Sequence, residues 1–198
     1  EFLKKVSEFG AIPNKFGGFG LRFHQWKVDV WHLEDTWART AGLKQVDEIS
    51  DILACTFFDW DSIVFDLSTG RLIFDDQYLR KLAEGIMDIQ LQENPNPRGS
   101  LVRALRRAAA WNVKFGPTLT KFCHRYLELF DWSELVELDR IAFNEAILTH
   151  LDQHEIIRRL ANTKRIQGVD ISHPVPNWER EPELPLLNME NTDLAPTA

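Results

Sequence analysis

The sequence predicts an α+β protein: a small mixed or antiparallel sheet with flanking helices, followed by a helical bundle. Three observations predict it. Residues 17–33 and 62–74 each set strand-like apolar residues around turn-forming ones, the signature of hairpins. The stretch Glu93-Asn94-Pro95-Asn96-Pro97-Arg98-Gly99 then breaks all periodicity and reads as a linker. From Ser100 onward apolar residues recur at helical spacing. A chain of 198 residues with 44% hydrophobic content, seven Trp and thirteen Phe can bury a core. The expected division is residues 1–97 as a sheet-bearing head, 98–168 as a helical neck or bundle, and 169–198 as an irregular tail.

Taken in order, residues 1–9 place Phe2, Val6 and Phe9 on one face of a short helix. Gly10 and Pro13-Asn14 end it. The glycines of Phe16-Gly17-Gly18-Phe19-Gly20 lack a following Gly-Lys-Ser/Thr, so they predict a bend before a strand rather than a phosphate loop. Residues 17–33 form the first hairpin. Val46, Ile49 and Leu53 predict a short helix over residues 46–54. The second hairpin joins Ser62-Ile63-Val64-Phe65-Asp66-Leu67 to Arg71-Leu72-Ile73-Phe74 through Ser68-Thr69-Gly70. A helix over residues 76–84 stops near Gly85, and residues 86–91 are extended. Ser100 is a candidate N-cap for a helix over residues 101–115 that buries Leu101, Leu105 and Ala108. Gly116-Pro117 starts a helix to about residue 130. Asp131-Trp132-Ser133-Glu134 starts a third, to residue 150. A fourth covers residues 152–161. The bundle core is expected at Trp111, Leu105, Phe122, Leu127, Phe130, Leu135, Leu138, Phe143 and Ile147. Pro174, Pro176, Pro182, Pro185 and Pro196 fall in the tail.

Charge and cysteine content narrow the function classes. A net charge of −7 excludes a globally basic nucleic-acid binder and leaves room for a local basic groove. Cys55 and Cys123 have no CxxC or CxxH companion, which argues against a zinc finger or a disulfide scaffold and for a reducing, cytoplasmic setting. No apolar run approaches the roughly 18 residues of a membrane span, and no signal peptide is visible. The chain begins at Glu1 and enters helix-like sequence at once, so an N-terminal truncation is expected.

Three sets of residues compete for chemistry. Asp29 sits in Lys27-Val28-Asp29-Val30-Trp31-His32-Leu33, a run that otherwise reads as a buried strand, where Asp is disfavoured. With period two, Asp29 and Trp31 face one way and Val28 and Val30 the other. A carboxylate held on a rigid strand beside an aromatic wall suits a metal-dependent site; a half-exposed edge strand is the competing reading. Glu34 and Asp35 fit a helix start better than a metal site. Asp59-Trp60-Asp61 would share a face on a strand, but its place before the hairpin favours a turn or cap. Arg98, Arg103, Arg106 and Arg107 concentrate positive charge in an acidic chain. Arg103 and Arg107 are four apart on one helix face, with Arg106 on its flank, as bidentate phosphate contacts require. A solvated basic face is the alternative. His150 and His154 have metal-pair spacing only if one helix runs through Leu151-Asp152.

The order of motifs over residues 10–130 resembles the head and neck of tRNA nucleotidyltransferases and poly(A) polymerases, in the DNA polymerase β-like nucleotidyltransferase superfamily. Family patterns R-R-D-F-T-x-N-A, D-x-x-G-x-L-x-D and a neck helix E-D-x-x-R-x-L-R-A-x-R-F-A correspond to three runs here. These are Phe57-Phe58-Asp59-Trp60-Asp61-Ser62-Ile63-Val64-Phe65-Asp66, then Gly70-Arg71-Leu72-Ile73-Phe74-Asp75, then Arg103-Ala104-Leu105-Arg106-Arg107-Ala108-Ala109-Ala110-Trp111. Val28-Asp29-Val30 looks like the strand that carries the superfamily's third metal carboxylate. The chain departs from the family where Cys55, Thr56 and Phe57 replace R-R-D, and where Gly99 and Ser100 replace the acidic pair before the neck helix. CCA addition is therefore not expected. The G-S and D-x-D elements should lie upstream of Glu1.

The resemblance implies a partial nucleotidyltransferase palm followed by a neck. It also implies Mg²⁺ or Mn²⁺ as cofactor and an NTP as substrate. The acceptor would be RNA or another hydroxyl compound, with two-metal transfer in the complete enzyme. Asp29 would be the metal ligand and catalytic carboxylate, and Arg103, Arg106 and Arg107 the nucleotide or phosphate contacts. A degenerate module of the same fold, binding nucleotide or RNA without chemistry, is the alternative.

Overall fold

The computed structural model describes residues 8–14, 17–24, 26–143, 145–161 and 169–170. Most of the expected first helix and of the Pro-rich tail lies outside the described residues. The architecture is α+β, with small sheets and flanking helices that lead into packed helices.

The first sheet has three antiparallel strands in the order β1 (Ile12–Pro13), β2 (Phe19–Phe23), β3 (Trp26–Val30). Its register sets Gly20 opposite Asp29 and Leu21 opposite Val28. The glycines ahead of β2 do act as a bend. Asn14 Oδ1 accepts from Gly18 N at 3.1 Å, and a Cβ at position 18 would lie 2.8 Å from Val30 O. Any larger residue there would push the turn off the sheet. A 3₁₀ turn (Leu33–Asp35) and the short helix α1 (Trp37–Thr40) follow.

The helix expected over residues 46–54 is instead a 3₁₀ segment, Ile49–Cys55. Its start is fixed by Asp51, whose carboxylate accepts from Asp47 N and Glu48 N, both at 2.9 Å. A second 3₁₀ turn, Asp59–Asp61, precedes β4 (Ile63–Asp66) and β5 (Arg71–Phe74). These two strands pair antiparallel as expected, but among the described residues only with each other: the two hairpins belong to separate sheets. Helix α2 (Tyr78–Glu84) stops at Gly85, whose φ of 66° is left-handed. Then β6 (Ile86–Met87) pairs parallel with β7 (Lys114–Phe115), which pairs antiparallel with β8 (Val169–Asp170).

Helix α3 (Pro97–Trp111) begins four residues earlier than its apolar stripe implies. Asn96 is the N-cap, accepting from Gly99 N at 3.1 Å, and Pro97 occupies the first turn. Ser100 is a buried helical residue, not a cap. The helix ends at Trp111 because Asn112 turns left-handed (φ 54°), which frees residues 114–115 for β7. Helix α4 is Pro117–Leu129. The helix expected over residues 131–150 is broken into α5 (Trp132–Phe143) and a 3₁₀ turn (Ile147–His150), and α6 is Gln153–Ala161. Leu101, Leu105, Ala108, Leu119, Leu127 and Leu135 are fully buried in one core with Phe58, Met87 and Phe115. Each such Leu contributes about 1.5–3 kcal/mol of burial. Phe122, Phe130 and Leu138 pack against that core while only half-buried. Trp111 and Phe143, expected inside, are 54% and 42% exposed, because they sit on the outer sides of their helices.

Candidate functional site

Asp29 is exposed on β3, a strand whose residues are exposed from Trp26 through Asp29. It lines an open cleft of about 320 Å³ with Val30, Trp31, Leu33, Ile49 and Ile52. Local pairing explains its freedom. The residue opposite is Gly20, where a Cβ would come within 3.6 Å of Asp29 Oδ1, so no cross-strand side chain covers the carboxylate. Trp31 is anchored by its Nε1, which donates to Thr36 Oγ1 at 3.3 Å. One ionisable group therefore stands on an otherwise apolar lining. A cleft of this kind can take a flat apolar group along its wall and a cation or donor at its rim.

The lining contains none of the three arginines. Arg106 turns into the helical core: its Nη1 donates to Asp139 Oδ1 at 2.7 Å and to Glu145 O at 2.9 Å, and the guanidinium covers Phe143. Asp139 is fully buried, and its other oxygen accepts from Leu148 N at 2.9 Å. Arg107 donates through Nη2 to Asp61 Oδ1 at 2.8 Å and lies over the rings of Phe58 and Trp111. Arg103 also lies over Phe58 and donates through Nη2 to the neutral Ser100 Oγ at 2.9 Å. Burial pulls its pKa down, an effect that nearby Asp61 opposes and Arg107 reinforces. The helix thus splits its arginines: Arg106 faces α5, while Arg103 and Arg107 face Phe58.

Asp59 and Asp61 sit in a 3₁₀ turn, as their place before the hairpin implied. Asp59 is buried; its Oδ1 accepts from Asp88 N at 2.8 Å and its Oδ2 lies 3.5 Å from Lys81 Nζ. Burial raises its pKa, against the Asp88 amide and Lys81. Sequence reasoning missed Asp88. Its carboxylate accepts from Leu119 N at 2.6 Å, closing the start of α4, and a Cβ at Gly116 would collide with it. The readable signal was Gly116-Pro117, a helix start with no side chain of its own to cap it. His150 ends a 3₁₀ turn and His154 lies beyond the break, 97% exposed, so the two do not share one helix. Among the described residues no three His, Cys, Asp or Glu side chains are grouped closely enough to hold a metal. Burial pushes the Cys123 thiol well up, which makes it inert. No described helix is long and apolar enough to cross a membrane.

No protein-family profile and no curated protein matches this sequence. Solved structures do. A tRNA-processing enzyme solved with CTP superposes with a TM-score of 0.50 at 17% identity, over 81% of this chain and 44% of that one. An apo form of a tRNA-processing enzyme gives 0.50 at 19% identity, over 83% and 45%. At such identity the likeness shows the fold alone. The chain spans less than half the length of the proteins it matches.

Proposed function

We propose that the chain is a nucleotide-binding portion of a nucleotidyltransferase-like protein, with the Asp29 cleft as its NTP site. One observation carries this reading: the strand carboxylate singled out by sequence lines a cleft whose other lining residues are apolar, in a fold shared with an enzyme solved with CTP. Trp31, Ile49 and Ile52 would take the base or ribose, and Asp29 would face the cation that accompanies a triphosphate. Mg²⁺ is commonly held by one or two carboxylates together with substrate phosphates, so one aspartate fits that role. It does not fit a site for two Mg²⁺ or Mn²⁺ ions, and no transfer step is assigned to these residues alone. Transfer of a nucleotidyl group to RNA or another hydroxyl acceptor would need carboxylates from beyond the described residues.

Of the arginines, Arg103 is the best placed to meet an added anion. Its acceptor, Ser100 Oγ, is neutral, and the nearby carboxylate of Asp61 is already bonded to Arg107. Arg107 would serve beside it. Arg106 is held by Asp139 and Glu145 and would act through the fold. We propose divisions of the chain at residues 97/98, within the first turn of α3, and at 168/169, just before β8. Binding without chemistry is the second reading; it is favoured by Cys55, Thr56 and Phe57 standing where the family has R-R-D.

The test is thermal. Mg²⁺ with an NTP at about 100 times Kd should stabilise the chain by about 2.7 kcal/mol, a rise of roughly 5–10 °C for a chain of this size. Asp29→Ala should abolish the Mg²⁺-dependent part and leave the ligand-free melting temperature unchanged. Absence of any shift with all four NTPs sinks both readings.

A further inference from the structure

We propose that the Asp29 cleft also takes a small organic ammonium compound with an apolar body, and that this ligand shuts out the cation of an incoming NTP. Binding of the ammonium stands by itself; only the exclusion rests on the nucleotide reading. Among the described residues no hydrogen bond or ion pair reaches the Asp29 carboxylate, which is exposed on β3. By contrast, Asp59, Asp61, Asp66, Asp88 and Asp139 all accept from a neighbouring group of the protein. The charge of Asp29 is answered by solvent alone until a ligand brings a cation.

The surroundings select that ligand. The other lining residues, Val30, Trp31, Leu33, Ile49 and Ile52, carry no charge, so Asp29 gives the cleft its sign. Lys27 and Arg22 share the Asp29 face of the sheet but lie outside the lining. A free anion is repelled there, and a hydrated metal ion gains nothing from the apolar wall. An organic ammonium uses both parts. Its nitrogen pairs with Asp29, while its hydrocarbon body lies on Ile49, Ile52 and Trp31 and leaves water. Trp31 adds a second attraction, since an indole face draws a cation within about 6 Å of its centre. That side chain is already held at the wall by its Nε1, which donates to Thr36 Oγ1 at 3.3 Å. The cleft, at about 320 Å³, lies at the small end of ligand sites, about 300–1,000 Å³. A compound of one ring and a short chain suits that space.

The experiment follows backbone amide shifts of the full 198-residue chain by NMR, in EDTA and without NTP. Phenethylammonium is the probe, and 2-phenylethanol its neutral counterpart. The ammonium should bind about threefold to thirtyfold tighter than the alcohol, the combined range of an exposed ion pair and a cation–π contact. Its largest shifts should fall at residues 29–33 and 49–52. Asp29→Asn, on an exposed position, should bring the ammonium down to the affinity of the alcohol. Trp31→Leu keeps an apolar wall and should cost about twofold to fivefold; if it fails to fold, Asp29→Asn decides. The proposal is overturned by no shifts at about 10 mM, enough to fill most of a site with a Kd of about 1 mM. Equal binding of ammonium and alcohol overturns it, as do indifference to Asp29→Asn and shifts confined to α4–α6. A second arm tests the exclusion. With phenethylammonium bound, the further rise in melting temperature on adding Mg²⁺ and NTP should shrink, and an undiminished rise overturns the exclusion. An ammonium that binds while no NTP shifts the melting temperature sinks the nucleotide reading and leaves the ammonium site standing.

Discussion

The two halves of the molecule use apolar residues in opposite ways. In the helical half the stripes read from sequence close on one another: Leu101, Leu105, Leu119, Leu127, Leu135, Leu148 and Ile156 are all fully buried. In the strand half, alternation gives faces that stay open. Trp26, Ile63, Phe65, Leu67 and Leu72 are 54%, 36%, 53%, 88% and 57% exposed, and among the residues of β1 to β3 whose side chains are described only Leu21 is buried. Charge follows the same division. Arg106 and Asp139 are locked together in the helical half, whereas Asp29 stands exposed on its strand. The difference teaches that a hydrophobic pattern fixes local conformation, while burial depends on what packs against it.

The sharpest way to break this comparison is at Asp139. Asp139→Ala leaves the Arg106 guanidinium with only Glu145, whose half-exposed carboxylate is 3.8 Å away, and removes the acceptor of Leu148 N. A loss of about 3–5 kcal/mol is expected, or roughly 10 °C in melting temperature. Asp29→Ala should change the ligand-free value by no more than about 0.5 kcal/mol. Equal losses in the two variants, measured by urea unfolding, would erase the distinction between locked and free carboxylates.

Next in size is a hydrophobic pair. Leu105→Ala opens a cavity in a filled core and should cost about 2–5 kcal/mol. Phe65→Ser, on the open face of β4, should stay within about 0.5 kcal/mol. A large loss at Phe65 would mean that this face is covered in solution.

What was legible follows the same line. The hairpin at residues 62–74 was readable because its turn chemistry is local: Asp66 accepts from Ser68 and Thr69, and Gly70 takes the left-handed conformation. Asp29 could be singled out because a strand aspartate is locally anomalous, and it does line a cleft. The uses of the arginines were not legible. Arg106 meets Asp139, 33 residues away, and Arg107 meets Asp61, 46 residues away. Helical spacing shows which side chains share a face but not what lies opposite. The start of α3 was misplaced for a different reason: Asn96 and Pro97 carry the cap and first turn without belonging to the apolar stripe.

The smallest effect sharpens the comparison most. Asp66 in the hairpin and Glu155 on α6 both have pKa values lowered to about 2, from different causes. The hydroxyls of Thr69 and Ser68 hold Asp66, whereas Arg158 and Arg159 hold Glu155. Since both folded values lie below the unfolded ones, each carboxylate stabilises above its unfolded pKa and loses that contribution as pH falls towards 2. Asp66→Asn and Glu155→Gln should therefore each melt below the wild-type chain at pH 7 and converge with it near pH 2. Salt separates them. At 1 M the screening length is about 3 Å, so the Glu155→Gln difference should shrink while the Asp66→Asn difference persists. Equal salt sensitivity would show that the hairpin turn, too, is held by long-range charge rather than by its own hydroxyl groups.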